Sequence, residues 1–135
     1  MRSDSDGFYE SAELNINFRL PPGLEPAALD EALREIAEDG ELACLDGIPA
    51  YRADKNTPLV RALLAGIRAA GGTPGFTLKT GTADLNLAAP VWGCPAVAYG
   101  PGDSNLDHTP NEHIEVAEFV RGVDVLEAAL LSLTT

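Results

Sequence analysis

Both histidines of the chain, His108 and His113, fall in one polar stretch, residues 100–114, together with Asp103, Asp107 and Glu112. An imidazole beside carboxylates suits a zinc-type metal or general acid–base work. The stretch is punctuated by Gly and Pro and follows an apolar run at 96–99. In open α/β sheets ligands bind beyond the carboxyl ends of strands, where such a loop would sit. The same composition also fits a solvated acidic loop with ordinary surface histidines. His108 and His113 are five residues apart, which does not put them on one helix face. A self-contained metal site from Asp103, Asp107, His108 and His113 stands as a geometric alternative.

A second candidate is the turn Thr80-Gly81-Thr82-Ala83-Asp84. Its backbone N–H groups can cradle an anion or an oxyanion. The plainer reading is a tight turn that needs Gly81 for its conformation. A third is Arg19, on the polar side of an alternating run beside Asn15 and Asn17. Its guanidinium can bind a carboxylate bidentately, or it can simply lie on an exposed sheet face. Trp92 reads as a large core or cap residue. The chain has no Walker motif, dinucleotide fingerprint, HExxH or GxSxG.

The elements that must position these residues follow from periodicity. Residues 13–20 alternate, with Leu14, Ile16, Phe18 and Leu20 on one side, and read as a half-buried strand. Pro21-Pro22-Gly23 ends it. Pro26 suits a first helical turn, and Leu29, Leu33, Ile36 and Ala37 recur at helical spacing, with Gly40 as the expected stop. Residues 41–46 read as a second strand. Thr57 is an expected N-cap with Pro58 at the first helical position. Leu59, Val60, Leu63, Leu64 and Ile67 then form an apolar stripe that Gly71-Gly72 ends. Residues 76–79 and 96–99 read as short strands, and 86–89 as helix or loop. A last helix fits 118–133, with Val123, Leu126, Leu130 and Leu133 on one face. The sum is an α/β chain of two blocks joined near 47–57.

Composition removes some functions. The 135 residues carry 9 Lys+Arg against 21 Asp+Glu, a net charge of -12, and only two lysines, Lys55 and Lys79. Phosphate contacts need clustered cations, so neither nucleic acid nor an anionic membrane is an expected partner. A hydrophobic content of 45% argues against wholesale disorder. Cys44 and Cys94, in apolar settings, read as buried reduced thiols of a cytoplasmic protein. No apolar run reaches the roughly 20 residues of a membrane span, and the polar start MRSDSDGF is not that of a signal peptide.

The segments SDGFYESAELNINFRLPPG, LKTGTADLN and YGPGDSNLDHTPNEHIEV resemble, in order and spacing, the C-terminal part of one family. It comprises the co-catalytic zinc amidohydrolases that include acetylornithine deacetylase, succinyl-diaminopimelate desuccinylase, aminoacylase and carboxypeptidase G. Within it, the likeness is closest to acetyl-lysine deacetylase and to the hydrolase that frees lysine from an amino-group carrier protein. The resemblance implies a catalytic α/β domain, a mixed sheet with flanking helices, interrupted by an α+β lid or dimerisation domain. Residues 1–50 would be the second part of the lid, and 51–135 the C-terminal part of the catalytic domain. It implies removal of an acyl group from an N-acyl-lysine or N-acyl-ornithine, with the amide on the side-chain amine, two zinc ions per complete enzyme with cobalt as an alternative, and a homodimer formed through the lid.

By the same resemblance His108 is the last metal ligand. Gly81 and Thr82 offer backbone N–H groups near the substrate carboxylate, and Arg19 contacts that carboxylate. Ala83 stands where many relatives have Ser. Glu112 braces the loop, and His113 takes no ligand role. The other ligands and the general-base Glu belong to an N-terminal half this sequence lacks. The chain is therefore expected to be a fragment, inactive alone. Two readings without catalysis remain beside it: an oligomerisation module, and a small-ligand-binding domain using Arg19 and the Gly81 turn.

Overall fold

A computed structural model describes residues 1–44 and 47–134. Two short strands, β1 (Arg2–Ser5) and β2 (Glu10–Glu13), are followed by four helices: α1 (Pro26–Ala37), α2 (Pro58–Ala69), α3 (Asp84–Trp92) and α4 (Val116–Thr134).

The helices form where local signals are strong. Pro58 opens α2, and Thr57 caps it by accepting the Val60 N–H at 3.2 Å, which satisfies one of the first-turn donors. At its far end Gly71 N–H donates to Arg68 O and Gly72 N–H to Ile67 O at 2.8 Å. Gly71 takes φ +78 to do so, a left-handed stop that favours glycine. Pro26 opens α1. That helix ends at Ala37, three residues before the expected Gly40, with Glu38 at φ +47. α3 is longer than the expected 86–89, and Gly93 closes it in the left-handed region.

The core lies between α2 and α4. Ala62 and Leu63 of α2 pack with Val125 and Ala129 of α4, bordered by Leu59, Ile67, Val97 and Tyr99. Small residues bring the two helices close. A Cβ on Gly66 would sit 2.9 Å from Val125 O, a backbone atom. Gly66→Ala is accordingly expected to push the helices apart and lower stability by about 1–3 kcal/mol, read as a lower urea midpoint. An unchanged midpoint would contradict that packing. Pro101 packs over Gly122 of α4, so this core also anchors the start of the loop at residue 100.

Several expectations need correction. The face of α4 turned to α2 is Gly122, Val125 and Ala129, whereas Val123, Leu126, Leu130 and Leu133 are exposed. Trp92 is 69% exposed, neither core nor cap. Cys44 and Cys94 are exposed, not buried. A hydrogen bond to the Asp30 carboxylate, and secondarily desolvation, push the Cys44 thiol above its ordinary value. No strand forms at 14–20, 41–44, 76–79 or 96–99. The remainder of the expected strand at 41–46, Leu45 and Asp46, lies outside the described residues. The expected mixed sheet is thus one two-stranded antiparallel hairpin among the described residues.

The hairpin was not expected from its polar sequence. Asp6 makes its turn, accepting N–H bonds from Tyr9 at 2.7 Å and Phe8 at 2.9 Å, with Gly7 at φ +89. The same two bonds, Tyr9's first, hold the Asp6 carboxyl below its ordinary value.

The chain exposes 11133 Å². A compact monomer of 14.2 kDa would expose about 6,800 Å². The described residues therefore present broad apolar faces that they do not themselves cover.

Candidate functional site

Three separated segments meet at an open cleft of ≈ 420 Å³. Arg19 comes from the extended stretch after β2. Lys79, Thr80, Gly81 and Thr82 come from the turn before α3. Ser104, Asn105, Asp107 and His108 come from the loop anchored by Pro101. All four residues singled out by resemblance, Arg19, Gly81, Thr82 and His108, line this one cleft.

Arg19 is fixed to the turn, because its Nη1 donates to Thr80 O at 2.9 Å. A Cβ on Gly81 would lie 3.3 Å from that same nitrogen. Gly81 does not take a positive φ. The guanidinium therefore approaches closely here, and the positive backbone angle that the plainer turn reading supposed is not taken. The turn leads into α3, whose first residue is Asp84. Asn86 steadies that entry. Its Oδ1 accepts the Ala83 N–H at 3.1 Å, and its Nδ2 donates to Pro49 O at 3.0 Å. Positive charge from Arg19 and the N-terminal end of a helix dipole thus adjoin the turn.

The loop is built from successive turns. Leu106 N–H donates to Asp103 O, Thr109 N–H to Leu106 O, and Glu112 N–H to Thr109 O, all near 3 Å. His108 sits at φ +61. Its backbone N–H donates to Glu112 Oε2 at 3.0 Å, so Glu112 braces the turn that presents the imidazole. One group here was missed as a pair: Lys79 Nζ makes an ion pair with the Asp107 carboxylate. Two signals were present in the sequence. Lys79 is one of only two lysines and precedes the turn, and Asp107 adjoins His108.

The other acids and the second histidine are engaged elsewhere. Asp103 Oδ1 accepts from Asn105 N–H and Nδ2 at 2.9 and 2.8 Å. His113 Nδ1 lies 2.7 Å from Asn111 O, and its Nε2 lies 4.0 Å from Glu115. Among the described residues no three of His, Cys, Asp and Glu converge as a metal site would require. The self-contained alternative from Asp103, Asp107, His108 and His113 is therefore not formed. The cleft offers one imidazole, His108, and the described residues do not by themselves assemble the ligand set of a metal. The arrangement can bind a carboxylate at Arg19 and the turn, and it can present one imidazole beside it.

Comparison with known proteins gives this geometry a lineage. The LysW-lysine hydrolase of Deinococcus radiodurans is 44% identical over 133 residues, covering 97% of this chain and 37% of that protein. Two archaeal proteins bear the provisional name LysW-lysine/LysW-ornithine hydrolase. That of Thermococcus kodakarensis is 47% identical over 114 residues, 84% of this chain and 30% of the relative. That of Pyrococcus furiosus is 42% identical over 123 residues, 91% of this chain and 34% of the relative. The chain spans about a third of the length of these curated relatives. The sequence profile of peptidase family M20/M25/M40 matches residues 11–132. With nearly its whole length matched, and the candidate residues gathered at one cleft, the chain belongs to peptidase family M20/M25/M40.

Proposed function

We propose that this chain is the C-terminal portion of a metal-dependent amidohydrolase of amino-acid biosynthesis. Its substrate would be an N-acyl-lysine or N-acyl-ornithine. The names of its relatives favour an amino-group carrier protein as the acyl group. The observation that carries the reading is the meeting of Arg19, the Gly81–Thr82 turn and His108 at one cleft from three separated segments.

In this reading Arg19 and the Gly81 and Thr82 N–H groups hold the substrate carboxylate. That fixes the distance from the carboxylate to the scissile amide and so lowers the entropic part of the barrier. Glu112 holds the His108 turn so that little reorganisation is needed on binding. His108 is the one ligand these residues would give a zinc ion, which when bound would supply an activated water and Lewis acidity toward the acyl carbonyl. The rest of the ligand set and the general base would come from further chain, as would cover for the exposed apolar faces. The 135 residues alone would be inactive.

Residues 1–50 would belong to a lid or dimerisation domain and 51–135 to the catalytic domain. The β1–β2 hairpin, whose outer edges have no strand partner among the described residues, is the surface suited to pairing in a homodimer. Among the described residues no helix is long and apolar enough to cross a membrane. A biosynthetic role of this kind would be cytoplasmic. The test is release of lysine or ornithine from the N-acyl compounds by the protein in its full natural length. Release should stop on chelation and return with zinc. Absence of release, or release indifferent to chelation, would contradict the proposal.

A further inference from the structure

The cleft carries charge that the proposed roles do not use. Arg19 donates to a neutral carbonyl, and no carboxylate among the described residues lies within ion-pair distance of it. Its guanidinium keeps its charge for an incoming anion. Asp107 is the opposite case, an anion already matched. Its partner is Lys79, and the side chains are 36% exposed for Asp107 and 61% for Lys79. An ion pair this exposed contributes little and exchanges readily. The lysine sits on a flexible four-carbon stem and can swing into solvent.

One cleft therefore holds a cation without an anion and an anion whose cation is replaceable. The complementary ligand carries a carboxylate and an ammonium on one chain. An acidic side chain would meet Asp107 as a like charge. A neutral one would leave Lys79 in place and gain nothing.

We propose that Asp107 is a specificity-determining residue that receives the free side-chain ammonium of a lysine or ornithine substrate, with Lys79 keeping its place in the empty cleft. The inference rests on the proposed function, which supplies the N-acylated basic amino acid, and it places the acyl group on the α-amine, beside the carboxylate that Arg19 holds, in place of the side-chain amine that the resemblance implied. On binding, the substrate carboxylate settles on Arg19 and the Gly81–Thr82 turn. The substrate ammonium displaces Lys79 from Asp107, so the carboxylate is never left unpaired. The rival use of the pair is the reverse, with Lys79 reading an acidic group of the acyl part.

The experiment compares Nα-acetyl-lysine with Nα-acetylnorleucine, which lacks the ammonium, using the zinc-loaded protein in its full natural length. Asp107→Asn should raise KM for the lysine compound about tenfold, the scale of one charge-assisted hydrogen bond. It should leave the norleucine compound unchanged, and Asp107→Glu should recover most of the loss. Lys79→Met should lower KM for the lysine compound, since it removes the competing cation. Equal losses on both substrates in Asp107→Asn, or a raised KM in Lys79→Met, would overturn the proposal. If neither compound is hydrolysed, the proposed function has failed on these substrates, and titration with free L-lysine and L-norleucine decides the inference instead. A preference for lysine that Asp107→Asn abolishes upholds it, and equal affinities overturn it.

Discussion

Alanine at position 108 is expected to cost the full-length protein about a thousandfold or more in turnover, several kcal/mol of metal-dependent stabilisation, together with bound zinc. The reason is that nothing in the cleft can replace the imidazole. His108 is presented on a left-handed turn braced by Glu112. Asp107, its neighbour, offers a carboxylate whose partner in the empty cleft is an ammonium, Lys79, and no second imidazole lines the cleft. His113, the only other histidine of the chain, is turned to Asn111 O and Glu115. His113→Ala should therefore leave zinc content and turnover as they are. Metal analysis and steady-state kinetics on the two variants read both effects. Retained zinc and retained rate in His108→Ala would remove this residue from the metal site.

The second large effect is expected at Arg19. Arg19→Ala should raise KM about a hundredfold, as removal of a charge-assisted, two-pronged contact to a carboxylate would. The loss should vanish when the substrate carboxylate is converted to an amide, because wild type then has nothing to hold. Arg19→Lys should recover only part of it. A lysine reaching Thr80 O has no planar fork left for the carboxylate. Gly81→Ala should fall between, because the added Cβ lies 3.3 Å from Arg19 Nη1 and displaces the guanidinium slightly. Kinetic constants for the acid and amide substrates measure all three. An equal loss on both substrates would mean that Arg19 supports the turn and does not read the carboxylate.

What was legible in the sequence divides along a physical line. The α1, α2 and α4 helices carry their signals within themselves: Pro26, Thr57-Pro58, the apolar stripe of α2 and the Gly71 stop. A helix closes its hydrogen bonds locally, so such signals suffice to place it. The expected strands at 13–20 (beyond Glu13, which ends β2), 76–79 and 96–99 did not form because a strand needs a partner ladder that its own sequence does not contain. Leu14, Ile16 and Phe18 alternate as a half-buried strand would, yet all three are exposed. Their pattern records a face, and the described residues provide nothing to cover it. The exposed side of α4 and Trp92 have the same origin. A helix that is apolar over much of its circumference is one that more than one neighbour packs against.

The candidate residues were legible one by one, and their wiring was not. Arg19, Gly81, Thr82 and His108 were singled out through motif and resemblance, and they line one cleft. The contact of Arg19 with Thr80 spans 61 residues and that of Lys79 with Asp107 spans 28. Spacing along a chain says nothing about pairs so far apart. Gly81 shows the same limit: a Cβ there would crowd Arg19, a residue far away in sequence, and its backbone angle is not the positive one that the plainer turn reading supposed.

In the proposed function these residues give a metal site one ligand, and no set of three donors converges among the described residues to complete it. Zinc analysis of the isolated 135-residue chain after dialysis, against a chelated control, tests this most directly. Little or no zinc per chain is the expected result. Close to two zinc ions per chain would contradict it, and would mean that the loop around Asp103, Asp107 and His113 rearranges to build a complete site of its own.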